Sequence, residues 1–225
     1  DTYDQRYYRE WMHELPPMEN IHRNTVLDVH HAIAPRTARI QADSRKLLDA
    51  AQAVLIGGHE VQVLARCDMI LHSMVHLFYN DDMSHGLRDL SDVDLLLRED
   101  SMEPVFWATL QARADELGLA DTLRLGLRCA QGILGTPVPV SGVGGPAGTL
   151  PSSWRERLMD RVWRRVLATP PAAGQAPWIT HAALSLVYLR AHWLRMPPWL
   201  LMKHLAVKSL RRLRGEPTPA GAVAP

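Results

Sequence analysis

Between Ala65 and Leu134 apolar residues return every three or four positions, and each interruption of that rhythm carries turn chemistry. Apolar side chains at that spacing lie on one stripe of a helix, which must then be buried against a neighbouring helix. The pattern predicts helices over 65–79, 86–97, 104–117 and 120–134. They are separated by Asn80-Asp81-Asp82, by Ser101 with Pro104 one turn inside the next helix, and by Gly118. Three further helices are predicted over 153–168, 180–195 and 198–214, beyond a Gly-, Pro-, Ser- and Val-rich stretch at 135–151 that reads as a linker.

The first sixty residues read differently. Pro16-Pro17 ends any helix, because each proline fixes φ and pushes its predecessor out of the α region. The β-branched run from Thr25 to Ile33 predicts a short strand that stops at Pro35. A helix is predicted over 38–54 with Gly57-Gly58 as its stop, and a second extended segment over 60–64. The fold class is α+β and predominantly α-helical, a short strand portion followed by a helical bundle. The expected division is an α/β-type part at 1–64, a helical domain at 65–140, a linker at 141–152, C-terminal helices at 153–215 and a disordered Pro/Ala-rich tail at 216–225.

Apolar runs such as Ala182–Leu189 fall far short of the roughly 20 residues of a membrane-spanning helix. The polar, acidic start lacks the features of a secretory signal. Cys67 and Cys129 stand alone, without the paired spacing of a disulfide framework or zinc site, which points to a reducing, cytoplasmic setting. Charge is uneven: residues 1–150 carry 13 Lys/Arg against 21 Asp/Glu, and residues 151–215 carry 12 against 2. Such asymmetry suits either a phosphate-rich partner for the C-terminal part or mutual attraction of the two halves.

Three groups of residues have the means for chemistry. On a strand over 26–30, Val26, Asp28 and His30 share a face, so a carboxylate and an imidazole meet at one edge, unless that face is simply turned to water. Asp68, His72 and His76 recur at i, i+4 and form one helical stripe, a spacing at which two histidines can hold a metal. The glutamate of a His-Glu-x-x-His motif is missing there, and hydrogen bonding of His72 and His76 to Asp68 or to a neighbouring element is the plainer reading. Asp92-Val-Asp94 would grip one metal ion on a strand. On a helix the two sit about 200° apart and are solvated charges. The spacing of Leu87, Leu90, Val93 and Leu97 favours the helix. The segment 198–214 interleaves leucines with five basic residues, as in a docked terminal helix or a surface-binding one. No Walker loop, Gly-x-Ser-x-Gly elbow or dinucleotide-binding glycine fingerprint occurs.

Four segments in order, His13-Glu-Leu-Pro-Pro17, Val26-Leu-Asp-Val-His-His-Ala-Ile-Ala-Pro35, Asp68 to Phe78 and Leu87 to Leu97, together with a fifth from Phe106 to Pro139, resemble the C-terminal region of the uncharacterised bacterial nucleotidyltransferase family, a branch of the polymerase-β-like superfamily. That resemblance implies transfer of a nucleoside monophosphate from an NTP to an acceptor, with Mg²⁺ held by carboxylates on a sheet. It assigns Asp28 as the third metal-binding carboxylate, with His30 beside it as the second catalytic residue. The Gly-Ser loop and strand-borne Asp-x-Asp of the family are missing from these 225 residues, so the chain reads as a fragment that is not active alone. The implied partners are a nucleotide and an acceptor; nucleic acid is not expected. Two other readings are a non-catalytic helical protein-interaction module on the same scaffold, and a metal-dependent hydrolase using Asp68, His72 and His76.

Overall fold

The computed structural model describes residues 13–15, 18–27, 29–40, 42–101, 103–139, 150–151, 153–168, 177–199 and 202. It is mixed α+β and mostly helical, as the periodicity requires. The first hairpin pairs β1 (Met18–Asn20) with β2 (Thr25–Leu27), antiparallel, with Glu19 opposite Val26. Its turn uses the residues that tolerate it. The Asn20 side chain accepts from the backbone N–H of His22 and Arg23, and Asn24 takes a positive φ of 50°. Away from the turn, Glu14 and His30 pair across the same two arms.

The β-branched run therefore makes a shorter regular strand than its composition suggests. Residues 31–40 leave the hairpin and are pinned to the far end of the chain's last described helix. There Thr37 donates to the Arg195 carbonyl, Arg39 donates to the Trp193 carbonyl, and the Arg39 guanidinium lies 4.2 Å from the Trp193 ring centroid.

The helix predicted over 38–54 is only α1 (Ser44–Asp49), capped by Asp43, whose carboxylate accepts from the Arg45 N–H. From Gln52 the chain is extended instead. β3 (Gln52–Ile56) pairs with β4 (His59–Val63), with Ile56 opposite His59. Gly57 and Gly58, at φ 58° and 83°, form the two-residue turn whose twist suits a hairpin, so they reverse a strand rather than stop a helix. The two hairpins form separate two-stranded sheets.

The helices then follow closely where their spacing places them: α2 (Arg66–Tyr79), α3 (Gly86–Asp100), α4 (Pro104–Glu116), α5 (Ala120–Cys129, running on through a π turn over Ala130–Leu134), α6 (Trp154–Ala168) and α7 (Trp178–Arg195). Proline at the start of α4 loses no hydrogen bond, and Gly135 closes the π turn in the left-handed region at φ 68°. Ser153 and Glu156 form a reciprocal capping box at the head of α6. The segments at 140–149, most of the helix predicted over 198–214, and the tail at 216–225 lie outside the described residues.

α2 is the central helix, in contact with α3, α4, α5 and α7. Ile70, Leu71, Met74 and Phe78 are wholly buried on it, and Leu90, Val93 and Leu97 of α3 close against it with no exposed surface. Gly86 permits the tight approach of α6, since a Cβ there would stand 2.8 Å from Leu167 Cδ2. Among the described residues no helix is long and apolar enough to cross a membrane.

Candidate functional site

The pairing of Glu14 with His30 is the local fact from which the site is built. The Leu15 N–H donates to the Val29 carbonyl at 2.8 Å and the His31 N–H donates to the His13 carbonyl at 2.9 Å. Glu14 and His30 are thus a non-hydrogen-bonded pair, the geometry that brings opposing side chains closest in an antiparallel ladder. Their side chains meet at 3.3 Å, His30 Nε2 to Glu14 Oε2. His13 packs its ring edge-on to His30, with centroids 4.9 Å apart at 72°. One ligand atom from each of His13, Glu14 and His30 falls within 4.8 Å of the others.

This cluster lies close enough to α2 for the histidines of the two to act on one another electrostatically. Burial, with help from His30, Arg195, His76 and His31, lowers the His13 pKa from 6.5 to about 4. The same causes, burial first and then His76 and His30, lower that of His72. Next to them a small cleft of about 110 Å³ is lined by His72, Ser73 and His76 of α2 and by Asp89 and Asp92 of α3. Four imidazoles from three separate stretches of sequence therefore share one region, with carboxylates around them.

The direction of these shifts fixes a pH dependence. An unfolded chain protonates His13 below about pH 6.5, whereas the folded one resists until about pH 4, so between those values the unfolded state binds more protons. Stability contributed by the neutral ring is complete above pH 6.5 and is lost as pH falls toward 4. Urea midpoints measured with a chelator present are expected to drop from pH 7 to pH 5, and to drop less in His13→Asn. A midpoint that rises at pH 5 contradicts the burial of these rings.

The residues singled out from sequence are distributed unequally. His30 sits in the cluster, and Asp28, its expected partner, lies outside the described residues. Asp68 does not join His72 and His76. Each i, i+4 step turns about 40° around a helix, so the stripe drifts, and Asp68 is carried into the core. There it has no exposed surface, and both its oxygens accept from Arg113 at 2.7 and 2.8 Å. The acids beside the two histidines are Asp89 and Asp92 instead.

Asp92 and Asp94 lie on α3, as their flanks indicate. Asp94 accepts from Arg98 at 2.8 Å and from the Thr136 hydroxyl at 2.6 Å, while Arg98 donates to the Leu134 carbonyl. That carboxylate ties α3 to the end of α5. Cys129 is buried, which pushes its thiol up to about 12 and leaves it unreactive at neutral pH.

Sequence reasoning missed His13 and Glu14 as site residues. Their signal was present only as part of His13-Glu-Leu-Pro-Pro17, since the register that sets Glu14 across from His30 is a property of the folded hairpin.

Residues 1–135, which carry the hairpin, the histidine cluster, α2 and α3, match the family described as uncharacterised nucleotidyltransferase. The chain belongs to that family. The match ends at the π turn, so α6 and α7 lie beyond it. No curated protein and no solved structure matches the chain.

The family uses an NTP and a divalent metal, and the described residues can be weighed against that need. Magnesium prefers an all-oxygen shell in regular octahedral geometry. The cluster at His30 offers two imidazoles and one carboxylate, so its chemistry does not fit Mg²⁺. A magnesium ion would rest on carboxylates outside this cluster.

Proposed function

We propose that the protein takes part in transferring a nucleoside monophosphate from an NTP to an acceptor hydroxyl or amine. The acceptor oxygen or nitrogen gives up its proton to solvent and forms the new bond to the α-phosphorus, the bond from that phosphorus to the bridging oxygen breaks, and pyrophosphate leaves. The membership of residues 1–135 in a nucleotidyltransferase family carries this reading. Asp28, two residues before His30 in sequence, is the carboxylate this chain would bring to magnesium, with His30 as the second catalytic residue. The Gly-Ser loop and strand-borne Asp-x-Asp are not among these 225 residues, so those groups would come from elsewhere in the complete protein or from a partner. The helices around α2 brace the hairpin and shape the acceptor side.

Pyrophosphate release from each of the four NTPs, with Mg²⁺ present and the protein as its gene encodes it, tests the proposal. Asp28→Asn is expected to reduce release by at least about 100-fold, an effect of the size that loss of one electrostatic stabiliser produces. Near-normal turnover in that variant removes Asp28 from the mechanism. Failure of the wild type to bind any NTP in calorimetry favours a non-catalytic helical interaction module on the same scaffold.

A further inference from the structure

We propose that His13, Glu14 and His30 form a binding site for a borderline divalent metal ion of the zinc type. This inference stands apart from the nucleotidyl-transfer reading, because it depends only on side chains described in the hairpin arms. Two imidazoles and one carboxylate, with ligand atoms all within 4.8 Å of one another, are a donor set that zinc sites with an open coordination position use. Nitrogen donors select against Mg²⁺ and Ca²⁺ and in favour of zinc and its neighbours in the first transition row.

The arrangement is held by backbone as well as by side chains. The antiparallel pairing sets Glu14 opposite His30, and the His13 carbonyl is fixed by the His31 N–H at 2.9 Å. Ligands bound at about 2.1 Å around one tetrahedral ion stand about 3.4 Å apart. Glu14 and His30 are already at 3.3 Å, so only His13 must close in, by roughly an ångström of ring movement. The Nδ1 of His13 is buried and has no hydrogen-bond partner among the described residues, an unmet need of a kind that coordination, or a ligand shell ordered by it, would relieve. His30 is exposed, so a water or a phosphate oxygen can reach the site and complete the shell.

His72 and His76 are the competing nitrogen donors, next to Asp89 and Asp92. Helical spacing alone would make that pair the better candidate. The hairpin trio is favoured because its carboxylate and imidazole already stand 3.3 Å apart, and because among the described residues it is the group of three such donors whose ligand atoms come within 4.8 Å of one another.

The test is Co²⁺ titration of the metal-stripped full chain, followed by visible d–d absorption, with Zn²⁺ competition and elemental analysis for stoichiometry. One ion per chain is expected, displaced by Zn²⁺ and retained in millimolar Mg²⁺. His30→Ala and Glu14→Gln are each expected to lose more than the 10–100-fold affinity that removal of an outer hydrogen-bond partner costs. The double variant His72→Ala/His76→Ala is expected to bind within about threefold of wild type, well below that outer-partner loss. Circular dichroism confirms that each variant is folded, and His13→Asn serves where an alanine variant is not. Absent d–d bands in the wild type, displacement of Co²⁺ by Mg²⁺, or loss of binding in the double α2 variant while His30→Ala still binds, each overturns the site.

Discussion

Replacing Arg113 by alanine is expected to destabilise the fold by about 3–5 kcal/mol, read from urea unfolding by circular dichroism. Asp68 is fully buried on the central helix, and Arg113 is its counter-charge, donating from Nε and Nη2 to its two oxygens. Without the guanidinium an ionised carboxylate is left in the core, and that desolvation cost exceeds what the intact pair contributes.

Arg113 also reaches outward, donating to the Lys46 carbonyl at 2.8 Å and to Glu116, so it fastens α1 to α4 as well as α4 to α2. The Asp68 hydrogen bonds raise the Arg113 pKa, so the guanidinium stays charged. The decisive comparison is the paired replacement Asp68→Leu/Arg113→Met. Because it removes both charges and restores apolar volume, it is expected to recover most of the loss, as buried ion pairs replaced by packed apolar residues often do. A paired variant as unstable as Arg113→Ala would mean that the cost lies in the bonds to Lys46 and Glu116 rather than in the stranded charge.

That buried pair also shows where sequence reasoning reaches its limit. The helices were legible because apolar spacing along each one is a local property, and α3 follows from Leu90, Val93 and Leu97 alone. So was the helical placement of Asp92 and Asp94. Asp68 looked like one member of a stripe with His72 and His76, yet its partner comes from residue 113, two helices on, and no local pattern announces such a contact.

The hairpins were half legible. Gln52, Ala53 and Val54 open a strand that runs on to Ile56, but the helix was read through Val54 because Gly57-Gly58 ends a helix as plausibly as it turns a hairpin. At the site, His30 was identified through its neighbours in sequence. His13 and Glu14 became part of the same cluster only once the antiparallel register was known.

Trp163→Ala is expected to cost about 3–5 kcal/mol, the range for deleting a large buried aromatic ring. Trp163 has no exposed surface, and its ring stands edge-on to Phe78 with centroids 4.9 Å apart at 88°. Phe78 lies on α2 within the family-matched residues, and Trp163 lies on α6 beyond them. The contact therefore measures how strongly the C-terminal helices are part of the core that supports the hairpin. Arg190 of α7 strengthens the same junction, donating to the Phe78 carbonyl at 2.8 Å. The Trp163 Nε1 is buried without a partner among the described residues, so Trp163→Phe removes an unsatisfied donor along with some volume and is expected to cost less than half as much as the alanine change. If α6 were a separate unit, Trp163→Ala would leave the main unfolding transition unmoved and show only a small early one. A single transition shifted to lower urea shows instead that the helices after residue 135 fold cooperatively with α2 and the core around it.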